Sequence, residues 1–313
     1  MNRAQYLAYR FAWTILGALG ALTGIFFILR LTPDPNQYCL GPGCREAYRE
    51  ARNFDASLHE QYFAWMESLL TLNLGTTVRG EPIVEVLTSA STVTLTYLVP
   101  SVVAAVAIGV GVGTFVAMKP DSKRFRVVRS ASYVGFAIPT FVAALMLFVL
   151  ATRHLEIHTL SYDHEQALFT TRNLIALTLP ASVLTVKLLA VQLRYARSES
   201  VEILHEDFVR TLRSTGAGAS AIARHVLKNG ASSLLSLFFS ELVGVVFVVV
   251  VIVEVIFNVP GFGQLLYRGI EQRDPGLILV TTTFPILLVM FGNFIQDVAY
   301  SIIDPRIQSE GSG

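Results

Sequence analysis

Two stretches of the sequence begin like a zinc-binding helix motif, in which histidines four residues apart hold the metal on one helix face. His59 and His205 are each followed by a glutamate, but Phe63 and Val209 stand where the second histidine is required. The sequence also has neither a glycine-flanked nucleophilic serine nor a glycine-rich phosphate loop ending in Gly-Lys-Ser or Gly-Lys-Thr. We therefore expect no catalytic centre, no metal site and no cofactor in this chain.

The composition is that of a membrane protein. Of 313 residues, 53% are hydrophobic and 15% are charged, whereas about 25% are charged in typical soluble proteins. A formal net charge of +1 does not indicate nucleic-acid binding. Continuous apolar runs long enough to cross about 30 Å of hydrocarbon predict an all-α membrane protein with about six transmembrane helices, at Phe11–Leu29, Leu87–Met118, Ser130–Thr152, Leu174–Leu193, Ala231–Val255 and Leu277–Ile295.

Lysine and arginine concentrate in the N-terminal tail and in the connections after the second and fourth predicted helices. Because positively charged loops stay in the cytoplasm, both termini are predicted to lie inside. The predicted organisation is a tail and first helix over 1–31, an external loop over 32–86, a five-helix core over 87–305 and a C-terminal tail over 306–313.

The first external loop carries a cysteine pair and a predicted helix. Cys39 and Cys44 enclose Leu-Gly-Pro-Gly, and on the oxidising side of a membrane they form either a disulfide or two free thiols. Further along, Ser57 and Glu60 have the spacing of a capping box that begins an amphipathic helix. This helix is expected to lie at the membrane interface or to serve as a scaffold against the transmembrane helices.

The connection between the fourth and fifth predicted helices is long, polar and helical in pattern. Phe208, Val209 and Leu212 extend along one face, and Arg210 and Arg213 project beside it. Glycines at 216 and 218 then break the helix before a second one begins. Such a segment suits docking into a groove of another protein, and the alternative is a surface loop whose basic residues bind lipid headgroups.

The same connection resembles a known family. Asp207-Phe-Val-Arg-Thr-x-Arg-x-x-Gly216 is similar to the coupling motif of dipeptide and oligopeptide permeases from binding-protein-dependent ABC importers. The likeness continues through Arg224-His-Val-Leu-Lys-Asn229, through Val253–Leu266 and to Asp304-Pro-Arg306, so it covers nearly the whole chain.

The resemblance implies a type I ABC importer-like permease in the plasma (inner) membrane that conducts peptides. It implies a second, paralogous permease subunit, two cytoplasmic ATPase subunits that bind ATP and magnesium, and an external binding protein. The alternatives are the same kind of importer for nickel or a sugar, and a secondary transporter or channel. On this resemblance the ATPase-coupling residues within segment 198–229 are Glu202, Asp207, Phe208, Val209, Arg210, Thr211, Arg213 and Gly216, with Glu202 to Gly216 forming the coupling helix.

The family motif after the fifth predicted helix suggests an outer gate or receptor-docking loop, and a simple turn is the competing interpretation. The pathway or gate residues are Glu254, Phe257, Pro260, Gly261, Phe262, Gly263 and Asp297. Glu254 is expected either to meet a substrate amine or to form structural hydrogen bonds. Lys187 and Glu241 fall at similar depth, which supports the hypothesis that they form an ion pair within the membrane.

Overall fold

The computed structural model describes residues 3–31, 43, 46, 49–50, 54–154 and 162–303. This part of the chain is helical almost throughout, with one isolated antiparallel bridge between Thr76 and Pro82. The helices are α1 (Arg3–Arg30), α2 (Leu58–Leu70), α3 (Ile83–Met118), α4 (Lys123–Ala137), α5 (Thr140–His154), α6 (Thr171–Ala176), α7 (Thr178–Ile203), α8 (Asp207–Ser214), α9 (Ala219–Gly244), α10 (Val250–Phe257), α11 (Phe262–Glu271) and α12 (Pro275–Ile303).

Four helical stretches of the described residues are long and apolar enough to cross a membrane. They are Ala4–Arg30, Ile83–Met118, Thr171–Ile203 and Pro275–Ala299. Two bent pairs, α4 with α5 and α10 with α11, raise the number to as many as six if each pair is one span. The predicted all-α class is confirmed, and six spans require both bent pairs.

The third predicted span is not one straight helix. The structure replaces Ser130–Thr152 with α4 and α5, which meet at a bend of 99°. The cause is local, because Pro139 has no N–H to donate and disfavours the helical conformation at the preceding residue. Ile138 accordingly adopts an extended conformation (φ −71°, ψ 123°) and ends α4.

The fifth predicted span, Ala231–Val255, falls within a longer helical run that contains a π-helical turn. This run starts at Ala219, passes through the π-helix Val245–Val249 and ends at Phe257. Asn258 then takes the left-handed conformation (φ 52°), and α11 leaves at a bend of 82°.

The centre of the molecule is the close packing of α3 against α7. Gly109 and Gly113 make the approach possible, since a Cβ atom at Gly109 would lie 2.8 Å from the Gln192 Cβ. At Gly113 a Cβ atom would lie 2.6 Å from the Leu193 carbonyl oxygen. Side chains of α10 complete the core, with Val250 and Val253 each 1% exposed.

The two ends of the bundle carry different short helices. At one end, Leu69 of α2 packs with Leu74, Ile83 and Val280, at the beginnings of α3 and α12. At the other, α8 packs against Ala117 where α3 finishes. We refer to these as the α2 end and the α8 end.

Candidate functional site

The short helix α8 has clear local start and stop signals. Asp207 lies in its first turn and Arg213 in its last, where each charge is favourable for the helix dipole. Gly216 follows with φ +78°, and the Ala217 N–H donates back to the Leu212 carbonyl oxygen at 3.0 Å. A left-handed glycine with such a bond is a common helix end, and it confirms the predicted glycine break.

One face of α8 is fixed to the bundle by apolar contacts. Val209 is 0% exposed and packs with Ala117, Ile203, Ile222 and Val226, which come from α3, α7 and α9. Further contacts come from partly buried side chains at Phe208 and Leu212. The segment is therefore attached to three long helices at once.

The opposite face of α8 is charged and open. The side chains of Asp207 and Arg210 are 98% and 77% exposed, and a distance of 3.5 Å separates their charged atoms. Thr211 and Arg213 are exposed on the same short helix. An exposed ion pair at this separation contributes little to stability, so these charges are available to a partner.

The predicted coupling helix from Glu202 to Gly216 needs correction at its start. Glu202 is exposed but belongs to the last turn of α7, which ends at Ile203. The His205 N–H donates to the Glu202 carbonyl oxygen and the Glu206 N–H donates to the Ile203 carbonyl oxygen, each at 3.1 Å. These short-range bonds form a turn that separates α7 from α8.

The second candidate region is the turn between α10 and α11, which is organised around a buried carboxylate. Glu254 is 0% exposed. One carboxylate oxygen accepts from the Thr94 hydroxyl at 2.5 Å and the Tyr97 hydroxyl at 2.9 Å. The other accepts from the backbone N–H groups of Gly263 at 2.6 Å and Gln264 at 3.0 Å. These four donors connect α10 to both α3 and α11.

The glycines of this turn are required by close approach. A Cβ atom at Gly261 would overlap the Glu254 carboxylate, and one at Gly263 would lie 2.6 Å from the Val251 Cα. The Phe262 N–H adds another bond, to the Thr94 hydroxyl oxygen at 2.8 Å. The backbone of the turn is thus held by hydrogen bonds to both Glu254 and Thr94.

These contacts change the interpretation of the predicted gate residues. Phe257 and Phe262 are each 6% exposed, and the Phe262 ring packs against Phe284 with centroids 6.2 Å apart. Phe262 is therefore packed inside the chain, and Pro260 is half-buried beside it. The structure places Glu254 among protein donors, which supports the structural hydrogen-bonding role over contact with a substrate amine.

The structure also shows the contacts of two further charged residues, and the predicted Lys187–Glu241 pair is not among them. Lys187 donates to the Phe136 carbonyl oxygen at 3.0 Å, and the described ion pairs do not include one between Lys187 and Glu241. Depth alone cannot indicate which way two side chains point around their helices. Asp297, which remains a predicted pathway residue, accepts from Arg10 through hydrogen bonds of 2.6 and 2.5 Å.

Sequence reasoning missed the partners of these carboxylates. Thr94 and Tyr97 lie three residues apart in an apolar helix, and this spacing on one face was the available signal. Asp274 was also missed as a connection, and it accepts from the Val78 N–H at 2.8 Å and from the Leu277 N–H at 3.1 Å. Its position before Pro275 indicates a helix cap, whereas the contact with Val78 requires the fold.

The predicted disulfide between Cys39 and Cys44 lies outside the described residues. Among the residues that are described, no group of three or more His, Cys, Asp or Glu side chains is arranged to hold a metal ion. Within the described residues, the carboxylates of Glu254, Asp274 and Asp297 are held by donors of the chain, whereas the charges of α8 are open.

Comparison with known proteins identifies the family. Residues 109–309 match the family described as the inner membrane component of binding-protein-dependent transport systems. The chain belongs to this family. Such a permease is a membrane component of a transport system and not an enzyme, and the system depends on a separate binding protein.

Similar proteins cover the permease almost end to end. A probable peptide ABC transporter permease of Sinorhizobium fredii is 30% identical, over 97% of this chain and 99% of the relative. The oligopeptide transport system permease AppB of Bacillus subtilis is 29% identical over the same shares. The dipeptide transport system permease DppB of that organism is 25% identical, over 99% of this chain and 100% of the relative.

Proposed function

We propose that this chain conducts peptides as the permease subunit of an ATP-driven importer, and that α8 docks on the ATPase subunits. The observation that carries the proposal is the two-sided construction of α8. Val209 is buried among three long helices, while Arg210 and Asp207 are open on the other side. A partner that moves α8 would therefore move α3, α7 and α9 with it. Such rigid-body transmission is one established way to switch a membrane pathway between two states.

The names of the relatives support the solute class. Those from Sinorhizobium and Bacillus are named as peptide, oligopeptide or dipeptide permeases. We infer that a peptide is delivered by the external binding protein and crosses between this chain and a second, paralogous permease. Two ATPase subunits would bind ATP with magnesium on the cytoplasmic side.

The proposed orientation places the α8 end in the cytoplasm with both chain termini. Arg10 near the start of α1 and Asp297 near the finish of α12 form an ion pair far along α12 from the α2 end. Arg124, Arg126 and Arg129 of α4 and Arg194 and Arg197 of α7 add to the positive charge near the α8 end. The excess of arginine supports a cytoplasmic location for this end.

The experiment is ATP hydrolysis by the complete complex in lipid nanodiscs, with and without the binding protein and a peptide mixture. We expect hydrolysis to rise only when both are present. The double substitution Arg210→Glu and Arg213→Glu should abolish that rise by weakening ATPase docking. Arg273→Glu is the matched control, since it reverses an exposed arginine at the α2 end.

Three results would separate the parts of the proposal. Failure of any ATPase to co-purify with the native chain would contradict an ATP-driven importer. An assembled complex that ignores peptides but responds to nickel or a sugar would overturn the solute class alone. Equal loss of ATPase co-purification in the α8 variant and in the Arg273→Glu control would contradict the role of α8.

A further inference from the structure

Among the described residues, helix α2 contacts the transmembrane bundle along one side. The Tyr62 hydroxyl lies 2.9 Å from the Thr23 hydroxyl, and the Trp65 ring stacks on Phe26 with centroids 5.4 Å apart. Leu69, one turn further along the same side, packs where α3 and α12 begin. This side fixes α2 across the ends of three long helices.

The contacts with α1 set the depth of α2 in the membrane. Arg10 and Arg30 bound the apolar part of α1, and twenty residues of helix extend about 30 Å, the thickness of the hydrocarbon. Thr23 and Phe26 precede Arg30 by one to two turns, which is about 6–10 Å along the axis. The ring of Tyr62 therefore reaches α1 below the level of Arg30, inside the hydrocarbon boundary.

Beyond its first turn, which carries the exposed His59, a second side of α2 is apolar and open. Phe63 is 66% exposed and Leu70, two turns later on the same side, is 78% exposed. This apolar side continues onto the exposed surface of α1, because Phe27 is 43% exposed and its ring stacks on Tyr62 with centroids 6.2 Å apart. Tyr62 in turn contacts the Phe63 ring, with centroids 5.6 Å apart.

A third side of α2 is acidic. Glu60 and Glu67 are exposed and project about 40° to 80° around the helix from Phe63 and Leu70. Carboxylates avoid hydrocarbon, so this third side marks the direction of water. The three sides have the order expected for a helix that lies in a membrane interface.

We propose that α2 is an interfacial helix whose Phe63 and Leu70 side chains are covered by lipid acyl chains of the leaflet at the α2 end. The charge on its water-facing side and the continuity of its apolar side with α1 favour lipid over a protein partner. Lipid contact would fix the outer segment that leads into α3, which Asp274 already holds through Val78. The inference depends on α1 crossing the bilayer and is independent of the transported solute.

The test is photo-crosslinking of the full chain in nanodiscs that contain an alkyne-tagged phospholipid. p-Benzoylphenylalanine replaces Phe63 in one variant and Leu70 in another, so that poor folding of one variant leaves the other. Replacement of Glu67, on the water side of the same helix, is the matched control. We expect about tenfold more lipid adduct at positions 63 and 70 than at position 67, because only the former face acyl chains.

Two results would overturn the inference. Equal lipid labelling at 63 and 67 would place both sides of α2 in the same environment. Adducts at 63 or 70 to the binding protein or to a second permease, tested in the assembled complex, would show that a protein covers this side. Elution of each variant as a single species in nanodiscs verifies the fold.

Discussion

The turn between α10 and α11 and the short helix α8 are similar in construction but differ in whether their charged groups are buried or exposed. Each is a short segment next to glycines, and each lies at one end of a long helical run. At the turn the polar atoms point inward, with four donors from the chain on the buried carboxylate of Glu254. At α8 the buried residue is the apolar Val209, and the charges point outward.

The difference indicates which region changes partners. A buried carboxylate that accepts from four donors of its own chain holds the surrounding helices together, because each lost bond leaves an unpaired polar group. Exposed charges such as those of α8 lose little free energy when they are left unpaired. They can therefore exchange one partner for another easily. This contrast supports the proposal that α8 meets another protein, whereas the α10–α11 turn is held by groups of its own chain.

The largest predicted effect comes from filling the space at the turn. Gly261→Ala would place a methyl group on the Glu254 carboxylate and should destabilise the chain by about 3 kcal/mol or more, since overpacked cores cannot relax. The measurement is unfolding of the purified chain in mixed micelles by titration with SDS.

Gly111→Ala is the matched control for that substitution. A Cβ atom there meets nothing within 4 Å, and the site lies inside α3. It should leave stability unchanged or slightly raised, because alanine favours helix over glycine. Similar losses for the two alanine variants would remove the special role given to the turn.

A smaller loss is expected when the carboxylate is exchanged for an amide. Glu254→Gln replaces one acceptor oxygen with an NH2 group that faces donors, which should cost about 2–3 kcal/mol. Thr94→Val, which removes a donor to Glu254 and an acceptor for Phe262, should cost about 1 kcal/mol. The same SDS titration measures both, with Glu241→Gln as the control. If Glu254→Gln left the free energy of unfolding unchanged, the contrast between the two regions would be contradicted.

At α8 the expected change is local instead of global. Val209→Ala removes two methyl groups from a fully buried site and should cost about 1–2 kcal/mol, confined to the contact of α8 with α3, α7 and α9. Hydrogen exchange should therefore speed up in α8 while Glu254 and its turn stay protected. Thr211→Ala, on the exposed side of the helix, should not change exchange in the packed residues. Faster hydrogen exchange in both α8 and the α10–α11 turn would contradict the separation of the two regions.

The smallest effect is a pH dependence at the start of α2. The Ser57 hydroxyl and N–H donate to the Glu60 carboxylate, which lowers its pKa. With a lowered pKa, the stabilisation is present above the pKa of the unfolded carboxyl, about 4.3, and is lost as pH falls through the folded value. After correction for intrinsic rates, α2 should exchange faster at roughly pH 3 than at neutral pH. Glu60→Gln should lack this dependence, and a Gln variant with the native profile would refute it.

Local patterns predicted much of the fold. Hydropathy located the long apolar helices, the Ser57 and Glu60 spacing located the start of α2, and the glycines after α8 ended it as expected. The bend at Pro139 also had a local signal, because proline disfavours a helical residue before it. Treating the apolar run as one span overlooked it.

The pairing of side chains that are far apart in the chain could not be predicted from the sequence. Glu254 bonds to Thr94, 160 positions away, and Arg10 pairs with Asp297, 287 positions away. Each side chain is compatible with many partners until the packing of the helices fixes its direction. For the same reason, the similar depth of Lys187 and Glu241 did not indicate contact.

The most direct measurement is site-specific photo-crosslinking in the assembled complex of permeases, ATPases and binding protein. p-Benzoylphenylalanine would replace Arg210 on α8 or Arg273 at the opposite end, both of which are exposed. We predict an adduct with the ATPase at position 210 and none at position 273. An ATPase adduct at position 273, or an intact complex that gives no ATPase adduct at 210, would contradict this prediction.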